Sequence, residues 1–232
     1  MVRLTYTGVF LFSLFLTGAA IHKWGAVELR ADFTEAAFLT SVGFGWLLIA
    51  TKLFVLFGFS LRDDAVERKN TPALVTLCGA LLGVALTYIG GNLGEGPSYW
   101  NNFYSAGLAT GGLFGLWLIL EAAAKVSISV VEERNMASAI RLFCLLLAMG
   151  LVLGRAVAGN WHSSEETFQD FLRDGWPAGL LCLLAIPIEW LVRPNLRRPF
   201  PSWTAMGLLP GIVYLLLASA WLWHLGKWEG MV

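Results

Sequence analysis

The sequence predicts an all-α, polytopic membrane helix bundle of about seven transmembrane helices. Three observations carry that expectation. Hydrophobic residues make up 57% of the 232-residue chain and charged residues 14%, where a soluble domain carries roughly a quarter charged. Mean hydropathy is +0.66. The apolar residues also fall into seven runs, each near the roughly 20 residues a helix needs to cross a bilayer core. The connections are short, so residues 1–232 read as a single transmembrane domain.

The first run, 5–22, follows Arg3 and ends at Thr17-Gly18-Ala19-Ala20. That layout also suits a secretory leader with a small-residue cleavage site; a retained span is the expectation. The second run covers 36–58. The third, 72–91, opens on Pro72, which a first helical turn accepts, and carries Gly79, Gly83, Thr87 and Gly91 at every fourth position. The fourth, 103–124, repeats the pattern with Gly107, Gly111 and Gly115, and the fifth, 136–158, with Gly150, Gly154 and Ala158. Small residues at that spacing let helix backbones approach closely in lipid, so these three spans are expected to form the compact centre. The sixth, 176–192, opens on Trp176-Pro177 and contains Pro187; the seventh, 204–224, contains Pro210. Both should kink, because an internal proline frees a carbonyl. Pro97, Pro194, Pro199 and Pro201 mark connections.

Sixteen Lys and Arg balance sixteen Asp and Glu, which gives no bulk attraction to nucleic acid. Their placement is uneven. Arg62, Arg68, Lys69, Lys125, Arg134, Arg141, Arg193, Arg197 and Arg198 fall on one alternate set of connections, against Lys23, Arg30, Arg173 and Lys227 on the other. The excess of cations marks the first set, and with it the N-terminus, as cytoplasmic. Trp24, Trp100, Trp161, Trp176, Trp221, Trp223 and Trp228 then fall at the outer boundary and Trp190 and Trp203 at the inner one, as an aromatic belt would place them. Cys78, Cys144 and Cys182 lie inside apolar runs and read as packing residues.

Ionisable groups inside spans are costly and few. Lys52, Glu121, Arg141 and Glu189 lie near cytoplasmic ends, where snorkelling or mutual pairing accounts for them. Arg155 lies in the outer half of the fifth span, just before Ala158-Gly159-Asn160-Trp161. Its planar fork suits a lipid phosphate or a carboxylate; the alternative is an ion pair with Glu95, Glu165 or Glu166. His22, His162 and His224 all fall at the outer boundary without the spacing of a metal motif, so no metal and no cofactor are expected. Glu28, Asp32, Glu35, Glu95, Glu165, Glu166, Asp170 and Asp174 make the outer connections acidic, either as a solvated face or as a surface for a basic partner segment. No Ser-His-Asp order, phosphate loop or H-E-x-x-H pattern is present.

Two stretches carry a family resemblance. Gly111-Gly112-Leu113-Phe114-Gly115 is similar to a His-Gly-Gly-Leu segment, and Gly154-Arg155 followed by Gly159-Asn160-Trp161 is similar to a Gly-Arg-x-Gly-Asn-Phe signature. Both segments belong to the prolipoprotein diacylglyceryl transferases, bacterial membrane enzymes that move diacylglyceryl from phosphatidylglycerol to a lipobox cysteine. Val42-Gly43-Phe44 through Trp46, Ala50-Thr51-Lys52 and Trp176-Pro177 extend the likeness along roughly residues 35–230. The resemblance implies a multi-pass bacterial inner-membrane protein, with Arg155, Gly159, Asn160, Gly111 and Gly112 as lipid-binding positions. The chain departs from the pattern at Thr110, where the family's catalytic His is expected, and at Trp176-Pro177-Ala178-Gly179, which replaces His-Pro-Ser-Gln.

Transfer of a diacylglyceryl group needs a cation for the phosphate and a base for the thiol proton. Arg155 supplies the first, and no base stands near it in the sequence. The expectation is therefore a non-catalytic, lipid-associated membrane subunit that packs against partner membrane proteins. The alternatives are a working phosphatidylglycerol-dependent transferase and, third, a transporter whose kinks at Pro187 and Pro210 open a polar path.

Overall fold

The computed structural model describes residues 2–96, 98–193 and 202–227. Pro97, Pro194, Arg197, Arg198, Pro199, Pro201, Trp228 and the Glu28 side chain lie outside the described residues. Among the described residues all regular secondary structure is helical: α1 (Val2–Trp24), α2 (Val27–Ala31), α3 (Phe33–Leu53), α4 (Thr71–Gly90), α5 (Tyr99–Ala124), α6 (Met136–Ala156), α7 (Ser164–Val192) and α8 (Leu209–Leu225). Seven helical segments are long and apolar enough to cross a membrane: α1, α3 continued to Phe57, α4, α5, α6, α7, and α8 taken from Thr204. The protein is an integral, multi-pass membrane protein.

Because the spans alternate in direction, α1, α4, α6 and α8 run one way and α3, α5 and α7 the other. The first set forms a row of parallel helices in which α4 sits against α1 and α6, and α6 against α8. The second set covers that row: α3 rests on α1 and α4, α5 on α4 and α6, and α7 on α5 and α6. Inside this arrangement α4 and α6 are the core, with 83% and 72% of their apolar windows buried, against 22% for the last span. α1 belongs to the same bundle, burying Tyr6, Phe10 and Ile21, and its Tyr6 hydroxyl meets Thr51 Oγ1 of α3 at 2.8 Å.

The glycines of α4 and α6 meet in a close seam, which sets both helices in the compact centre as expected. A Cβ at Gly79 would lie 2.6 Å from Phe143 Cα, one at Gly83 2.7 Å from the Leu146 oxygen, and one at Gly150 2.6 Å from the Gly83 oxygen. Gly90 meets the Gly154 backbone in the same way. The α5 stripe corrects the expectation. Nothing approaches Gly111 or Gly115 within 4 Å, and only the Trp46 ring comes near Gly107, at 3.9 Å. Fourfold spacing defines a stripe but not which way it turns, and in α5 the opposite face has the bulk that fills the interior. That face carries Leu113, Trp117 and Leu120, and Trp117 stacks on Phe57 with centroids 4.1 Å apart.

Three helices of the parallel row start from π-helical turns: Leu61–Glu67 before α4, Ile128–Glu132 before α6 and Thr204–Leu208 before α8. In the first two, a left-handed residue follows (Lys69 with φ 50°, Arg134 with φ 51°) and then an asparagine cap. Asn70 Oδ1 accepts from Ala73 N at 3.1 Å and Asn135 Oδ1 from Ala137 N at 2.9 Å, satisfying donors a helix start leaves open. The caps also tie the two turns together. Asn70 Nδ2 donates to the Val131 oxygen at 2.8 Å, and Arg134 Nη2 donates to the Arg68 oxygen at 3.1 Å.

The start of α7 also departs from expectation, lying at Ser164 rather than Trp176. Residues of mixed charge ahead of Trp176 resemble a connection by hydropathy, yet they carry a helix start. The Ser163 hydroxyl accepts from Glu166 N at 3.2 Å, and Glu165 and Glu166 stand in the first turn, where negative charge complements the helix dipole. Pro177 accordingly sits inside the helix. Trp161 leaves the aromatic belt, being 8% exposed; Trp100, Trp176, Trp190, Trp203 and Trp223 are exposed.

Candidate lipid site

Arg155 stands near the end of α6, one turn beyond Val152 on the same helix face. Val152 lines a groove of about 360 Å³ between α7 and α8, together with Trp176, Pro177, Leu181, Leu217 and Trp221. The groove exists because α7 and α8 both pack on α6 while touching each other only lightly. Its walls are almost wholly apolar. At the rim, Trp176 and Trp221 meet edge to face with centroids 5.4 Å apart, and Trp221 Nε1 donates to the Asp174 oxygen at 2.9 Å. Arg155 reaches the end of α8 at that level, its Nη2 donating to the Gly226 oxygen at 3.4 Å. Asp174 also binds Arg173, whose Nη1 reaches Asp170 at 2.6 Å. Glu95, Glu165 and Glu166, the acids named as partners for Arg155, accept instead from Val27 N, Gln169 Nε2 and His162 N.

Gly159 and Asn160 serve a different contact. Gly159 N donates to the Leu93 oxygen at 2.9 Å, Trp161 N to the Glu95 oxygen at 2.8 Å, and Glu95 N to Asn160 Oδ1 at 2.9 Å. Together these bonds clasp the α4–α5 connection to the α6–α7 connection. Gly94, with φ 119°, packs against the Gly159 backbone. Gly112 lies under the Phe171 ring of α7, where a Cβ would come within 2.9 Å; Gly111 opens outward. The structure therefore distributes Arg155, Gly159, Asn160, Gly111 and Gly112 over three places. Thr110 is 7% exposed, and its hydroxyl meets Thr87 Oγ1 at 2.9 Å and accepts from Trp46 Nε1 at 3.2 Å.

The other ionisable residues of the spans resolve separately. Arg141 and Glu189 form a buried bidentate pair, with Nε to Oε1 at 2.6 Å and Nη2 to Oε2 at 2.5 Å. Glu121 accepts from Ser127 N at 3.0 Å and closes the turn after α5. Lys52 has no acid partner among the described residues and lines a second cavity, of about 400 Å³, between α1, α3 and the Leu61–Glu67 turn. Sequence reasoning missed this cavity. Its signal was the placement of Arg3, Lys52 and Arg62 at the same end of three consecutive segments.

Among the described residues no group of three His, Cys, Asp or Glu side chains is placed to hold a metal ion. The three cysteines are buried free thiols. No family model, no curated protein and no solved structure matches the chain.

Proposed function

We propose that this chain is a non-catalytic, lipid-associated membrane subunit. On this reading it uses a scaffold like that of the prolipoprotein diacylglyceryl transferases and sits in a bacterial inner membrane with its basic connections in the cytoplasm. One observation carries the lipid assignment: an apolar groove open along α7 and α8, with Arg155 one helical turn beyond Val152 of its lining. That combination suits an amphipathic ligand, with an acyl chain against Leu181 and Leu217 and its phosphate directed towards Arg155. The non-catalytic reading is supported at Thr110, where a buried hydroxyl bonded to Thr87 and Trp46 occupies the position of the expected base. Partner packing is supported by the outward stripe of Gly107, Gly111 and Gly115, which leaves room for another helix to approach α5.

The test is native mass spectrometry of the full chain in mild detergent, followed by lipid extraction. Co-purified phospholipid should fall in Arg155→Ala and in Leu217→Trp, which fills the groove. Equal lipid in all three proteins refutes the site. Turnover of phosphatidylglycerol and a lipobox peptide above blank, lost in Arg155→Ala, refutes the non-catalytic reading.

A further inference from the structure

The second cavity, on the face that bears the start of α1, has a chemistry unlike the α7–α8 groove. Three cations from three separate segments line it: Arg3 of α1, Lys52 of α3 and Arg62 of the π-helical turn. Arg62 is paired, its Nε bonded to Glu67 Oε1 at 2.9 Å. Arg3 and Lys52 have no acid partner among the described residues. The other carboxylates of that turn are turned to local work, Asp63 receiving the Ser60 hydroxyl and Asp64 receiving Ser60 N and Arg68 Nη1. The cavity therefore keeps an excess of positive charge that its own walls do not neutralise.

Position adds a second constraint. Val55, which lines the cavity, is 57% exposed. The cavity thus joins apolar side chains, Val55, Leu61 and Val66, to a basic end of the spans, the combination that headgroup depth requires. Its volume of about 400 Å³ lies within the roughly 300–1,000 Å³ of ligand pockets. The Thr7 hydroxyl adds a neutral donor to the lining. Guanidinium and ammonium groups converging from separate elements on one half-apolar cavity fit a phosphate attached to an apolar tail.

We propose that this cavity binds the phosphate group of an anionic phospholipid, as a site separate from the α7–α8 groove. Arg3 and Lys52 supply the charge, Arg62 is drawn from Glu67 as the ligand enters, and the glycerol and first methylenes lie along Val55 and Leu61.

The experiment measures binding of dioctanoyl phosphatidic acid, dioctanoyl phosphatidylcholine and inorganic phosphate to the full chain in neutral detergent by isothermal titration calorimetry. Wild type is compared with Arg3→Gln, Lys52→Gln, the double variant and Arg155→Gln. Phosphatidic acid should bind wild type more tightly than phosphatidylcholine. Its affinity should fall about fivefold for each cation removed, the effect of one basic residue near an anionic surface, and stay unchanged in Arg155→Gln. A fall in Arg155→Gln that equals the fall in the double variant, or no fall in the double variant, overturns the assignment. Inorganic phosphate that displaces the lipid with the same dependence on Lys52 assigns the pocket to a free phosphate ester and overturns the lipid source. Because Arg155→Gln reports on the groove alone, the two sites fail independently.

Discussion

Removing one partner of the buried Arg141–Glu189 pair should destabilise the bundle far more than removing both. The two side chains are 1% and 8% exposed. Arg141 donates to both Glu189 oxygens, to Ser138 Oγ at 2.9 Å and to the Met206 backbone oxygen. Glu189→Leu takes away the only opposing charge among the described residues and leaves the guanidinium with two neutral acceptors between α6, α7 and the turn before α8. An uncompensated buried charge of this kind costs about 3–5 kcal/mol, more than a hundredfold in the folding equilibrium. In Arg141→Met/Glu189→Leu no charge is left to desolvate, and the double variant should lie within about 1 kcal/mol of wild type or above it. The assay is unfolding in mixed micelles of rising denaturing-detergent fraction, followed by circular dichroism, with the coupling read from the double-mutant cycle. The reasoning is refuted if Glu189→Leu costs under about 1 kcal/mol, or if the double variant is as unstable as the single one.

The remaining predictions concern packing and caps. Gly90→Ala forces apart the α4 and α6 backbones and should cost at least about 1–3 kcal/mol in the same assay, whereas Gly111→Ala meets open space and should be neutral or stabilising, since alanine is the better helix former. Asn70→Ala removes both a cap and the tie to Val131 and should cost about 1–2 kcal/mol, more than Ser163→Ala at the exposed start of α7. Asn160→Ala frees the Glu95 amide from its acceptor, and hydrogen exchange at that amide should rise while exchange in α4 and α6 stays unchanged.

Seven spans were legible because length and hydropathy report directly on the bilayer, and the place of α4 and α6 in the compact centre was legible because small residues at every fourth position permit close approach. The orientation of the α5 stripe was not, since Gly107, Gly111 and Gly115 obey the same rule as Gly79 and Gly83. Only the three-dimensional placement of Phe57 against Trp117 decides which side of α5 turns inward. The π-helical turns were hidden because hydropathy reads Leu61–Glu67 as a charged connection and does not distinguish the backbone of Ile128–Glu132 or Thr204–Leu208 from an ordinary helix or loop. Yet their signal is present in Val66-Glu67-Arg68-Lys69-Asn70 and Val131-Glu132-Glu133-Arg134-Asn135, two segments of nearly one pattern that each end on a capping asparagine. At the candidate site, Arg155 stood out by depth alone. Its groove did not, because nothing in the chain announces that α7 and α8 will both lean on α6 and leave a slot between them.

The tight seam of α4 against α6 also imposes an order on assembly. The two helices are not neighbours in the chain, so as the protein leaves the ribosome α4 enters the bilayer well before its main partner has been synthesised. During that interval Thr76 and Thr87, fully buried in the finished fold, and the bare backbone along Gly79, Gly83 and Gly90 face lipid, the insertion machinery or a transient companion. A nascent chain halted within α5 is thus an exposed half-seam, and quality control of this protein would act on that species rather than on the completed bundle.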